Sequence, residues 1–147
     1  MKALSVHPYY AHQIVTGVKS VECRTWKTDY RGDIVICSTA KKFHDCVSSH
    51  ALGVVELVDV VPFTTKHLKA ACMEKRDMPD NAYAWILSYN RLIVPVPVKG
   101  KLSLWEYDGK IEYIPDEEWI APEGASPEEI EEHGNRFFNK YWKDIAT

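Results

Sequence analysis

The chain contains no C-x-x-C pair, and none of its four cysteines (Cys23, Cys37, Cys46 and Cys72) sits at metal-ligand spacing from a histidine. A structural metal is therefore not expected, and at this size no disulfide framework is needed. No apolar run approaches the roughly 18 residues that span a bilayer. No basic, apolar leader is visible, so a cytoplasmic location is the expectation. There is no G-x-x-x-x-G-K-[ST] loop to cradle nucleotide phosphates and no G-x-S-x-G elbow to present a nucleophilic serine. The six histidines show no readable nucleophile–base arrangement. No cofactor is implied.

What is present is an ordinary globular composition, 46% hydrophobic and 27% charged over 147 residues. That suits one domain with a buried core. The net charge of -3 argues against a surface coated in positive charge. The charge is nevertheless segregated. Residues 1–42 are predominantly basic, whereas residues 116–132 carry acids and no Lys or Arg. Segregated charge is compatible with a nucleic-acid partner.

The most informative stretch is Gly17 to Trp26. A glycine turn leads into a strand-like run holding Lys19, Glu22, Arg24 and Trp26. Alternate side chains of a strand share a face. Val21 and Cys23 thus point toward a core, and Glu22, Arg24 and Trp26 point the other way. Grouping an acid, a base and an indole on one short edge suggests a binding or catalytic cleft.

The pattern predicts a strand at Lys2–Ser5 and a helix from about Tyr9 to Thr16, with Tyr10 and Ile14 marking a face and Gly17 as its stop. Strands follow at Ser20–Trp26 and Asp33–Ser38. Residues 39–50 read as an exposed, partly helical connection. Ala51–Val61 is strongly β. Thr64 or Thr65 can cap a helix over Lys66 to Arg76, with Leu68, Ala71 and Cys72 inward. Tyr83–Val94 is a long strand, and Pro95 and Pro97 bracket an edge or bend. Asp108-Gly109 signals a hairpin between Leu102–Tyr107 and Lys110–Ile114. Ser126-Pro127-Glu128-Glu129 starts a helix in which Ile130, Phe137, Phe138, Tyr141 and Ile145 recur at helical spacing. Many short strands with few helices predict an α+β fold, a small curved sheet or barrel with helices covering its ends, plus a C-terminal helix. No linker divides the chain, so residues 1–147 are expected to form a single domain.

Leu4-Ser5, His7-Pro8-Tyr9, Ala11, Ile14, Gly17, Lys19, Glu22, Arg24, Trp26, Tyr30-Arg31-Gly32 and Ile34-x-Ile36 together resemble the ASCH domain. Gly53 to Asp59, Tyr83 to Leu87, Pro95 to Gly100 and Leu104-Trp105 fit its later strands. The resemblance covers about residues 1–107, and the hairpin and helix of residues 108–147 look like an addition. It implies a PUA-like β-barrel with a cleft between the barrel and the first helix, and work on RNA or nucleotides. Some ASCH proteins are small amidohydrolases acting on N4-acetylcytidine through a Lys, a Thr three residues on, and a later Glu. Lys19 matches that Lys. Glu22 stands at the Thr position; no residue is assigned to the later Glu, for which Glu56 and Glu74 are candidates.

Each candidate residue has a chemical rationale. Lys19 beside Glu22 could act as a catalytic pair or form a strand-edge ion pair. Glu22 can accept hydrogen bonds from a base edge, and Arg24 can hold a phosphate in its fork. Tyr9 and Trp26 could stack on a base or could be core aromatics. Arg31, Lys41 and Lys42 are natural phosphate contacts. Ser38 could hydrogen-bond a ligand, and His7 could line the cleft. The favoured reading is an RNA- or nucleotide-binding module without membrane association. The alternative is a nucleoside amidohydrolase or metal-independent ribonuclease with Lys19 as its key catalytic residue.

Overall fold

The computed structural model describes residues 1–147. Six strands form one curled sheet: β1 (Lys2–Val6), β2 (Val21–Arg24), β3 (Gly32–Ser38), β4 (His50–Pro62), β5 (Tyr83–Pro97) and β6 (Leu104–Glu106). Their spatial order is β2-β5-β4-β3-β1-β6. The β1–β3 pair is parallel, and the other ladders are antiparallel. The long β4–β5 ladder shifts register three times, at Ala51/Gly53, Val54/Glu56 and Leu57/Asp59. Each irregularity bends and twists the pair, which helps the sheet to curl.

Helix α1 (Pro8–Val15) packs into the hollow of this sheet. Ala11, Ile14 and Val15 are buried there with Leu52, Val55, Trp85 and Leu92. Val15 comes so close to β4 that a Cβ on Gly53 would lie 2.6 Å from its Cγ1. Only glycine tolerates that approach. Gly17, at φ +86°, ends the helix as expected. The face differs from the expectation in one respect. Tyr10 is 38% exposed and turns outward beside Tyr9.

Three expected elements are replaced. Residues 39–49 hold no helix. The chain is pinned there by Ser49 N–H donating to the Thr39 carbonyl, by an Asp45–Thr147 backbone bond, and by His12 Nε2, which accepts from Val47 N–H at 3.0 Å. Residues 66–76 form 3-10 turns at Thr65–His67 and Lys75–Asp77 rather than a helix, and Cys72 is exposed at φ +55°. The physical reason is non-local. The Ala70 carbonyl accepts from the Ser20 and Val21 amides, and the Ala71 carbonyl accepts from Lys19. A regular helix running through Arg76 would have used those carbonyls itself. Finally, Lys110–Ile114 does not fold back on β6. It runs beside β5, where Val94 N–H donates to the Glu112 carbonyl and Ile114 N–H to that of Leu92.

Helix α2 (Pro127–Tyr141) has the expected capping box, with Ser126 and Glu129 bonded reciprocally. Phe137 and the following Trp142 enter the main core, and Trp142 stacks on His12 at 4.3 Å between ring centroids. Ile130 is exposed, and Ile145 lies in the next 3-10 turn. No helix is long and apolar enough to cross a membrane.

Candidate functional site

β2 is an edge strand paired only with β5, so its outer side is open. A cleft of about 500 Å³ lies along that edge. The opening sits at the strand's free edge, so residues from both of its faces reach it. Glu22, Cys23, Arg24, Thr25 and Trp26 all line the cleft. Its other walls are Val6, His7 and Tyr10 around the start of α1, and Cys72, Met73, Asp77 and Pro79 from the 3-10 segment.

The centre of this wall is a chain of three charges. Glu22 Oε2 accepts from Arg24 Nε at 3.1 Å and Nη2 at 2.9 Å. Its other oxygen, Oε1, lies 3.6 Å from Lys19 Nζ. Lys19 and Glu22 are 3% and 7% exposed, so one buried carboxylate serves two cations. Lys19 also donates to the Ala71 carbonyl and lies 5.2 Å from the centre of the Tyr10 ring. Buried charges persist only when paired and hydrogen-bonded, and this set meets both conditions. Arg24 Nη2 reaches across to the Ser5 carbonyl at 2.9 Å, linking the edge strand to the end of β1.

Around the triad, Cys23 and His7 have shifted acidity. Burial, then the Glu22 carboxylate, raises the Cys23 thiol. That makes it a poor thiolate. Burial, then nearby Lys41, lowers His7. His7 caps α1, its Nδ1 accepting from Tyr9 N–H at 3.1 Å. Neutral His7 is the form that can make this bond.

The structure gathers His7, Lys19, Glu22, Arg24 and Trp26 at one cleft. The other sequence candidates stand elsewhere. Tyr9 does not line the cleft; its neighbour Tyr10 does. Tyr9 instead packs beside Phe43 at the rim, 5.3 Å between centroids, and Phe43 is equally close to His7. Arg31 is held by Asp59 at 3.3 Å and by the carbonyls of its own loop. Ser38 is buried and bonded to the His50 backbone, on the wall of a different pocket. Lys41 and Lys42 are exposed on the 39–49 loop. Trp26 packs edge-on against core Trp85 at 4.7 Å and also lines the cleft, so its place in the core leaves part of it on the cleft wall. Neither Glu56 nor Glu74 lines the cleft, whereas Asp77 does. Sequence reasoning missed Tyr10, Met73, Asp77 and Phe43. Only the one-residue offset of Tyr10 from Tyr9 left any local trace of them.

The curled sheet with its helix in the hollow is a PUA-like fold. Two crystal structures of an ASCH protein from Zymomonas mobilis share it at a TM-score of 0.58 and 21% identity, covering 73% of this chain and 87–90% of theirs. In sequence, the ASCH domain family matches residues 4–133. The chain belongs to the ASCH domain family, and the match runs past residue 107 into α2. Human activating signal cointegrator 1 is 30% identical to it, and the mouse protein 26%. In each case the match covers 74% of this chain but only 22% of the relative.

Proposed function

We propose that this ASCH domain binds RNA through the cleft at the β2 edge, taking a single unstacked base against the Lys19–Glu22–Arg24 triad. The observation that carries the reading is the charge inventory of the cleft. Lys19 and Arg24 are matched by Glu22 and Asp77, with Tyr10 and Trp26 alongside. Balanced donors and acceptors next to aromatic rings suit a neutral, hydrogen-bonding ring, which is what a base offers. An unstacked base exposes both its face and its edge to such a wall.

Fluorescence anisotropy of a labelled ten-nucleotide single-stranded RNA tests the reading. Binding should weaken with salt and fall at least about tenfold in Arg24→Ala, since a bidentate contact to a base or phosphate is worth about 1–3 kcal/mol. Lys42→Ala should weaken it by less. Unchanged affinity in both variants would reject the reading.

A second reading rests on one specific contact, the 3.6 Å approach of Lys19 Nζ to Glu22 Oε1 in the cleft wall. Such a pair can relay a proton, as nucleoside amidohydrolysis requires. Mass spectrometry of N4-acetylcytidine incubated with the parent and with Lys19→Ala tests it. Acetyl release by the parent alone supports an enzyme, and no release from either folded protein removes that substrate.

A further inference from the structure

We infer that the pocket between the 39–49 loop and residues 98–102 is a phosphate subsite for the backbone of the RNA whose base occupies the cleft, so that the ligand is a polymer and not a free nucleoside. This deepens the reading above and rests on it.

The pocket has a volume of about 490 Å³. Its polar wall is Ser5, Ser38, Thr39, Ser49, Lys99 and Lys101, and no carboxylate lines it. Two of the hydroxyls hold the scaffold. Ser38 Oγ bridges the His50 amide and carbonyl. Ser5 Oγ accepts from Trp105 Nε1 at 3.1 Å and donates to the Lys101 carbonyl at 3.2 Å. The Thr39 and Ser49 hydroxyls and the two ammonium groups are left for a ligand. Hydroxyls and lysines without a competing acid are the donors that contact phosphate oxygens.

The two pockets adjoin. β1 and β3 end side by side, with Val6 opposite Ser38. The residue following β1 is His7, in the cleft, and the residue following β3 is Thr39, in the second pocket. Thr39 N–H donates to the Val6 carbonyl at 2.9 Å, which ties the two rims together. Ser5 links the two, because its carbonyl accepts from Arg24 of the cleft while the residue itself lines the second pocket. Lys41 and Lys42 lie on the same loop as Thr39, and Phe43 meets His7 at the cleft mouth. A nucleic-acid strand leaving the cleft past Phe43 would therefore meet these two lysines on its way to the pocket.

The chemistry divides accordingly. The cleft balances two cations against two carboxylates, which suits a neutral base. The second pocket sets two cations and its hydroxyls beside Ala40, Val98 and Leu102, with no carboxylate, and that unopposed positive charge suits a phosphodiester. A nucleoside has no group for it.

The test measures the same ten-nucleotide RNA against Lys99→Ala/Lys101→Ala, Arg24→Ala and a control with two exposed lysines removed elsewhere, Lys66→Ala/Lys110→Ala. The expected result is a tenfold or greater loss in the Lys99/Lys101 variant. Its slope of log affinity against log salt should also flatten by about 1.4, the value for two single-strand phosphate contacts. The control should stay within about twofold. If Arg24→Ala weakens binding and Lys99→Ala/Lys101→Ala does not, the subsite is rejected and the cleft reading stands. If the reverse holds, the cleft reading falls, and the inference that rests on it is overturned with it, leaving a phosphate site with no base in the cleft. An equal loss in the control would reduce the effect to diffuse charge and overturn the subsite. Absence of RNA binding by the parent would overturn both.

Discussion

Two arginines on this sheet meet carboxylates in opposite ways. Arg91 on β5 and Asp33 on β3 form a two-on-two fork, at 2.7 and 3.1 Å, and the guanidinium is covered by the rings of Tyr89 and Tyr113 at 3.9 and 5.8 Å. One cation has one anion, and every strong contact is internal. Asp33 holds Arg91 above the usual arginine range, chiefly through that hydrogen bonding. Arg24 instead directs two nitrogens onto a single oxygen of Glu22, whose second oxygen is given to Lys19. That carboxylate is shared between two cations, and all three groups line a cleft in which Asp77 supplies a second acid. The Arg91 pair is saturated within the chain and fastens β5 to β3, whereas the Lys19–Glu22–Arg24 set lies on the wall of a cleft.

The largest effect should come from removing the shared anion. Glu22→Ala leaves Lys19 buried without its counter-charge, which should cost about 3–5 kcal/mol. Urea denaturation measures it, and a loss below about 1 kcal/mol would mean that the triad is solvated rather than buried.

His12 sharpens the comparison as a polar group that gives up its charge instead of pairing it. Burial lowers its pKa from 6.5 to about 4, and its neutral Nε2 accepts from Val47 N–H. The unfolded chain binds the extra proton more readily, so the stability from neutral His12 is complete above pH 6.5. It is lost as pH falls through 6.5 toward about 4. The full span amounts to up to about 3 kcal/mol. His12→Gln should flatten the stability profile over that window, and identical profiles would locate the dependence elsewhere.

Asp33→Ala should cost only about 1 kcal/mol, because the carboxylate is partly exposed and solvent replaces much of what it gives. RNA affinity should stay within about twofold, since the Arg91 pair is separate from the cleft. A tenfold loss would break the distinction between fastening and binding arginines. Arg31→Ala should matter least. Its guanidinium is already held by Asp59 and its own loop, so RNA binding should again change by no more than about twofold.

Much of this architecture is legible in local chemistry. Gly17 is suited to a helix stop, because the position needs a left-handed backbone. Ser126 and Glu129 close a capping box within one turn. Alternation puts Glu22 and Arg24 on one face, and their bond at 2.9 Å is the consequence. Glu22 and Arg24 mark the cleft wall for the same reason, whereas Lys19 precedes β2 and reaches Glu22 from the turn after Gly17. The illegible parts depend on partners far along the chain. The helix expected over residues 66–76 gives way to turns because its carbonyls are used by Lys19, Ser20 and Val21. Lys110–Ile114 pairs with β5 and not with β6, although a good turn precedes it.

Residue order and type alone thus settled the capped helix ends, the β-rich character of the chain and the charged edge of β2, since each follows from contacts within a few residues. Folding in three dimensions chose Tyr10 over Tyr9 and brought Asp77 to the cleft. It buried Lys19 against a carbonyl 52 residues away and set Lys99 and Lys101 beside Thr39. Those outcomes depend on how a long bulged ladder curls and which groups it leaves facing one another, and no short window of sequence contains both partners.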